Sequence, residues 1–310
     1  MGLSHHIGLN PRSRPAHLTS MSQLKKVSGI YENKSSHWVG DGFHVRNLIP
    51  STGLEAEVSP FLLLDYAGPT NFAPSDEPRG VGEHPHRGFE TVTIAYQGKV
   101  EHRDSGGNAG TIGPGDVQWM TAASGVVHEE KHEREFARAG GVFEMIQLWV
   151  NLPRAVKMSP PRYQTLLKEQ IPQVDFPKGG YARIIAGELN GVQGAARTFT
   201  PVHLFDVRAS AGETVELTTP SGFNTSVFLL RGAGLLNGSH TLEGEAKIAL
   251  LGTEGELVRF EARQDSLLLV LSGQPIREPV ASYGPFVMNT REELVQAVDD
   301  YRAGKMGRLN

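Results

Sequence analysis

Four side chains carry the chemistry this chain is best placed to do: His84 and His86, which flank Pro85, and His128 and Glu130 further along. Each pair stands at i and i+2, positions that share one face of an extended strand. Glu130 rather than Glu129 is therefore the partner of His128. Two strands carrying such pairs can aim three imidazoles and one carboxylate at a single point. That donor set suits a borderline divalent metal (iron, manganese, cobalt, nickel, copper or zinc), whereas magnesium or calcium would want more oxygens. Four protein ligands leave an octahedral ion two open positions for water, substrate or O₂, and neutral imidazoles leave it a useful Lewis acid. Pro85 fixes φ and has no N–H to give a strand neighbour, so it fits a strand edge or the mouth of a site. The alternative is a set of ordinary surface or hydrogen-bonded histidines, since seven of the chain's twelve fall between His37 and His132.

Neighbouring residues have less specific readings. His102 points inward by alternation from Val100, either to orient a ligand or as a satisfied core histidine. Glu90, four residues beyond His86, is expected on the same side, where it could ligate, orient an imidazole or pair with Arg87. Trp119 is expected to fill a core, His132 and Glu133 to continue into a solvated loop, and His5 and His6 to be incidental. Gly106-Gly107-Asn108-Ala109-Gly110 lacks the strand-to-helix context and the lysine of a phosphate loop. Gly-x-Ser-x-Gly is absent, which removes the hydrolase elbow. Ser124 near His128 has no third group to orient it as a triad would require.

The elements that must position these residues read as β-structure. The 36 glycines and 19 prolines in 310 residues mark many tight turns. Short apolar stretches at 61–66, 91–96, 100–102, 117–120, 126–128 and 143–150 are expected strands, at the spacing of a sandwich or barrel. A second set follows at 181–186, 202–208, 214–218, 225–230, 246–251, 256–260 and 266–271, with turns at Gly232 and Gly234 among others. The proline-rich stretch 153–161 divides the two. Thr290 and Glu293 form a capping box, and Leu294, Ala297, Val298 and Tyr301 recur at helical spacing, so a short amphipathic helix is expected to end near Gly304. The absence of cysteine excludes disulfides, zinc-thiolate sites and iron–sulfur clusters. No stretch of 18 apolar residues exists, so no membrane span is expected. No signal-peptide h-region is visible either, and a cytoplasmic protein is expected. Residues 1–30 hold Arg12, Arg14, Lys25 and Lys26 and no acid; the rest carries 26 basic and 34 acidic residues, a net of −8. A body of that sign gives no reason to expect direct nucleic-acid binding. Residues 1–25 read as a disordered basic leader, and Met21 is a possible alternative start to Met1.

Longer stretches around the same residues resemble the pirin family, within the cupin superfamily. They are HPHRGFETVTI at 84–94, GPGDVQWMTAASGVVHEE at 113–130, QLWVNLP at 147–153 and REPVASYGPFVMNT at 277–290. The resemblance spans about residues 25–305. It implies an all-β chain of two tandem cupin jelly-roll β-barrels with a short C-terminal helix: a metal-binding barrel over 26–152, a second without metal over 162–275, and a C-terminal arm and helix over 276–310 packing back on the barrels. It implies one divalent ion, Fe(II) foremost, on His84, His86, His128 and Glu130, with Glu90 not the fourth ligand. His203 and His240 of the second half are isolated, in keeping with a barrel that holds no metal. The activity implied is a quercetin 2,3-dioxygenase, taking a small aromatic flavonol and O₂, with Glu130 as the catalytic base. The family also implies a second possibility, a non-enzymatic, redox-sensitive iron protein that binds a transcription factor or metabolic enzyme. A third is a general stress protein acting on another substrate. A monomer is expected.

Overall fold

Alternating apolar and polar positions need a covered face, and in the N-terminal half two sheets cover one another. The structure, a computed structural model, describes residues 23–49 and 54–309. Most of the expected leader, with Met1, Met21, His5 and His6, lies outside the described residues. The half opens with β1 (Val27–Glu32), β2 (His37–Val39), β3 (Phe43–Ile49), the helical turn α1 (Glu55–Val58) and β4 (Phe61–Phe72). It continues with β5 (Gly80–His86), β6 (Phe89–Gln97), β7 (Val100–Asp104), β8 (Ala109–Ile112), β9 (Val117–Thr121) and β10 (Val126–His132). Helix α2 (Arg134–Ala139), β11 (Gly141–Asn151) and β12 (Arg162–Leu166) complete it.

A seven-stranded sheet in the order β12-β9-β6-β11-β4-β3-β2 faces a four-stranded sheet in the order β5-β10-β7-β8. Phe43, Val45, Ala67, Ala95, Val100, Ile112, Phe143 and Met145 fill part of the space in this half. Strand β6 is buried on both faces. Ala95 joins that cluster, while Val92, Ile94 and Tyr96 join a larger one with Ile185, Leu204, Phe228 and Leu269 of the C-terminal half. A strand buried twice reads as a continuous apolar run, which is how 91–96 looks in the sequence.

The C-terminal half comprises β13 (Gln173–Asp175), β14 (Tyr181–Ala186), the small hairpin β15 (Glu188–Leu189) and β16 (Val192–Gln193), β17 (Val202–Ala209), β18 (Thr214–Thr218), β19 (Asn224–Leu236), β20 (His240–Leu251) and β21 (Leu257–Gly273). An arm then forms the hairpin β22 (Ala281–Tyr283) and β23 (Phe286–Met288), followed by α3 (Arg291–Arg302). The capping box is present: Thr290 Oγ1 accepts from Glu293 N, and the Glu293 carboxylate accepts from Thr290 N.

Several expectations are corrected. Among the described residues neither half closes into a barrel: β2 and β12 are the outer edges of one sheet, and β1 and β13 end the path of the other. Closure requires the first and last strands to find each other, and alternation within strands carries no information about that pairing. Two strand pairings also link the halves. Strand β1 pairs with β20 in the C-terminal sheet, and β12, expected in the second unit, pairs with β9. Lys25, counted with the leader for its charge, is buried and donates to the carbonyls of Phe223 and Thr253. Gly232 and Gly234 are not turns but lie inside β19, where the register against β21 shifts. A Cβ on Gly232 would stand 2.2 Å from Ser266 Oγ, so glycine here permits a bend and a close approach.

Candidate metal centre

The small sheet positions the histidines. Strand β5 is its edge, which accommodates Pro85, and it runs antiparallel to β10 with His84 opposite His128 and His86 opposite Val126. The three imidazoles meet in a triangle, with ring centroids 4.3 Å apart for His84–His128, 4.8 Å for His84–His86 and 4.9 Å for His86–His128. One nitrogen from each lies within 4.8 Å of the others. His86 and His128 are buried. Burial, reinforced by the neighbouring imidazoles, pushes His86 down to about 3 and His128 well below its usual value. Both are therefore neutral at physiological pH, the form that can ligate a metal.

In each ring Nδ1 is already engaged. His84 Nδ1 lies 2.7 Å from the Gly82 carbonyl, and His86 Nδ1 lies 3.4 Å from that of Pro285. A carbonyl only accepts, so these nitrogens carry the protons and leave Nε2 with its lone pair. His128 Nδ1 lies 3.3 Å from His102 Nδ1, and His102 Nε2 is 3.3 Å from Asp104 Oδ2. With the carboxylate taking the Nε2 proton of His102, His102 Nδ1 is the acceptor and His128 Nδ1 the donor. His128 Nε2 is then a buried nitrogen with no hydrogen-bond partner among the described residues. A buried polar atom left without a partner is destabilising, and a metal ion at the centre of the triangle would satisfy it. The residues thus fit a divalent ion.

The fourth expected ligand is placed differently. Glu130 groups with His128 and His102 rather than with all three imidazoles. Its Oε1 accepts from Gln118 Nε2 at 2.8 Å and stands 3.1 Å from Thr93 Oγ1, whose one proton has a shorter path to Gln147 Oε1 at 2.6 Å; among the described residues Oε2 has only Gln147 Nε2 at 3.4 Å. Oε2 is thus the oxygen with least to lose by turning to a metal or a proton. Glu130 still lines, with His84 and His86, a cavity of about 200 Å³ whose other walls include Val39, Phe43, Leu63, Val81, Met145 and Trp149.

His102 is buried against this site as its alternation suggested, stacked on Tyr163 at 4.7 Å. Asp104 anchors it. Burial raises that carboxyl, but hydrogen bonds from His102 and Asn108 outweigh it and hold the group below its usual value. Gln118, Thr93 and Gln147, which brace Glu130, were not singled out in the sequence. Their signal was there in principle: polar residues at inward positions of strands that are otherwise apolar.

Glu90 does not share a side with His86. The chain breaks between β5 and β6 at Gly88 (φ 90°), which resets the parity. Glu90 accepts from Thr121 Oγ1, and Arg87 pairs instead with Asp300 at 2.9 Å. His132 is no solvated loop residue: it is buried in β10, stacked on Phe143, with Nε2 3.0 Å from the Gly42 carbonyl. Glu133 caps α2 by accepting from the backbone N–H groups of Glu135 and Phe136.

Comparison with known proteins identifies the family. Residues 42–150 match the pirin family, and residues 204–307 match the pirin C-terminal cupin domain. A Pseudomonas aeruginosa protein provisionally named a quercetin 2,3-dioxygenase is 54% identical over 288 residues, covering 93% of this chain and 100% of that protein. Mouse pirin is 36% identical over 297 residues, covering 93% of this chain and 96% of its own. The crystal structure of a quercetin 2,3-dioxygenase from Acinetobacter baumannii superposes with a TM-score of 0.90 at 50% identity, covering 93% of this chain and 100% of that one. Matched in both halves, and at this identity over most of its length, the chain belongs to the pirin family.

Proposed function

We propose that the protein is a metal-dependent dioxygenase that opens a flavonol such as quercetin at its 2,3 bond, with Fe(II) held by His84, His86, His128 and Glu130. The observation that carries this reading is the set of three imidazoles whose Nδ1 atoms are anchored, leaving Nε2 as the ligating nitrogen beside a largely apolar recess that His84 and His86 line. The names of the close relatives support the substrate. An ion bound there would supply a Lewis acid for a ring hydroxyl and one-electron exchange with O₂.

The chain's own residues do the rest. Glu130, which could leave the ion while the imidazoles held it, accepts the proton of the substrate's 3-hydroxyl at Oε2, while Gln118 keeps Oε1 in place. Val39, Phe43, Val81, Met145 and Trp149 exclude water from the reacting edge. Trp149 is itself propped at 4.3 Å on Phe89 and lies 5.4 Å from His86, which fixes the wall beside the ligand.

Oxygen uptake by iron-loaded protein supplied with quercetin, beside a His86→Ala control, tests the proposal. Consumption by the wild type alone is expected; none, or equal consumption by both, defeats it. Glu130→Ala is expected to lose turnover more completely than metal, and near-normal turnover would remove the base role. A second reading, an iron-dependent regulator of a protein partner, draws on one feature. The arm whose Pro285 carbonyl touches His86 also exposes Tyr283 (68%) and Val295 (56%). Quercetin-dependent oxygen uptake separates the two.

A further inference from the structure

The sheet face that bears the metal cavity continues beyond it. Along β11 the side chains of Met145, Gln147, Trp149 and Asn151 fall on one face by alternation. Met145, Gln147 and Trp149 line the metal cavity, whereas Trp149 and Asn151 line a second cleft of about 780 Å³. Leu63, directly opposite Trp149 on β4, also lines both. The Trp149–Leu63 rung therefore borders both cavity and cleft. Just beyond it the register shifts, so that Val150 faces Phe61 and Leu62 is the extra residue. A bulge re-aims side chains, and Leu62 joins Leu63 in the cleft.

The chemistry of the cleft is narrow. Phe61, Leu62, Leu63 and Trp149 line it together with Ile276 and Val280 of the segment leading into the C-terminal arm. Several of its polar side chains are already engaged. Asn151 Oδ1 accepts from Lys157 Nζ, Asn224 Nδ2 donates to the carbonyls of Ala56 and Ser59, and Glu278 Oε2 accepts from Arg154 N. Such a surface selects for apolar area and flatness more than for a hydrogen-bond pattern. Size points the same way: the metal cavity, at about 200 Å³, falls short of the roughly 300–1,000 Å³ of pockets for drug-sized ligands, while the cleft lies within that range.

We propose that this cleft is a binding site for the planar aromatic body of the substrate, with the Trp149–Leu63 rung as its boundary with the metal. The proposal rests on the dioxygenase reading for what happens at the metal, but binding in the cleft is separable from turnover. Quercetin is the probe, titrated into the metal-free, full-length protein by equilibrium dialysis. Val280→Asp places a carboxylate in the cleft at a residue already 42% exposed, and Tyr283→Asp places the same charge on the arm at a residue that does not line the cleft. Quercetin affinity is expected to fall at least about tenfold in Val280→Asp, the scale of one lost apolar contact made into a buried charge, and to stay unchanged in Tyr283→Asp. No binding by the wild type, equal affinity in Val280→Asp, or equal weakening in both variants overturns the proposal. Binding that is lost only in Val280→Asp, without oxygen uptake by the iron-loaded wild type, leaves the cleft standing and removes the dioxygenase reading.

Discussion

The two halves share a style of folding and differ in what they put inside. The C-terminal half packs an apolar cluster of Ala182, Ile184, Phe205, Val207, Leu229, Leu268 and Val270, and its buried charges Arg183 and Asp206 pair with one another. In the N-terminal half Thr93, His102, Asp104, Gln118, His128 and Glu130 are buried beside the apolar cluster. A polar interior survives only if its members satisfy one another. Here the chain Asp104–His102–His128 does so, Gln118 and Gln147 donate to Glu130, and Thr93 donates to Gln147, leaving His128 Nε2 over. Among the described residues His128 Nε2 is thus left without a partner at the meeting point of three imidazoles, whereas Glu90 Oε2, Thr91 Oγ1 and Trp119 Nε1, partnerless in the same half, have no such neighbours.

The sharpest way to break that comparison is to exchange the roles. His128→Leu should abolish stoichiometric metal binding and quercetin turnover. Stability of the metal-free protein should change by only about 1 kcal/mol, because the substitution removes an unsatisfied nitrogen along with a hydrogen bond. Leu268→Ala in the C-terminal interior should do the reverse: about 2–5 kcal/mol of stability lost, with metal content retained by the folded protein. Metal analysis and denaturant unfolding on the same samples check both. Equal stability losses would mean that the polar interior is as tightly packed an apolar core as its counterpart.

A smaller change probes the network from its far end. Asp104→Asn keeps the size of the side chain but removes the carboxylate that orients His102. Loss of the direct partner of a metal-ligating histidine typically weakens metal affinity about 10–100-fold; Asp104 acts one step further out, through His102, so a loss of about tenfold is expected. That loss should appear in competition with a chelator, with little change in metal-free stability. Unchanged affinity would show that His102 is a core histidine and nothing more.

How much of this could be read in advance follows the same division. Within a strand, parity is local, so the inward placement of His128, Glu130 and His102 was legible, as was the Thr290–Glu293 cap. Across a break it is not: Gly88 resets the count and carries Glu90 to the other face. Relations between distant strands were equally hidden, among them the open edges, β1 joining β20, and the Pro285 carbonyl reaching back to His86. His132 was misread because polar neighbours suggested a loop, whereas four aromatic rings, Phe43, Phe72, Phe136 and Phe143, surround it.

Glu90 offers the finest test, because it is a buried carboxylate in the half that tolerates buried polarity, yet it is only partly satisfied. Oε1 accepts from Thr121 at 2.6 Å, Arg162 stands 4.0 Å away, and Oε2 has no hydrogen-bond partner among the described residues. Burial pushes the carboxyl from its usual 4.5 up to about 7, against the hydrogen bond from Thr121. A folded-state value above the unfolded one means that the folded protein binds the proton more tightly. The group therefore favours folding least where both states are ionised, and stability should fall as pH rises from about 4.5 to about 7. Glu90→Gln keeps the shape and removes the charge. It should flatten that part of the pH–stability curve and raise stability at pH 8 by up to about 3 kcal/mol, with metal content unchanged because Glu90 faces away from the imidazoles. Urea unfolding of both proteins across this pH range decides it. A variant less stable than the wild type at pH 8 would mean that the Arg162 guanidinium closes on the carboxylate and compensates its burial, making Glu90 part of the satisfied interior after all.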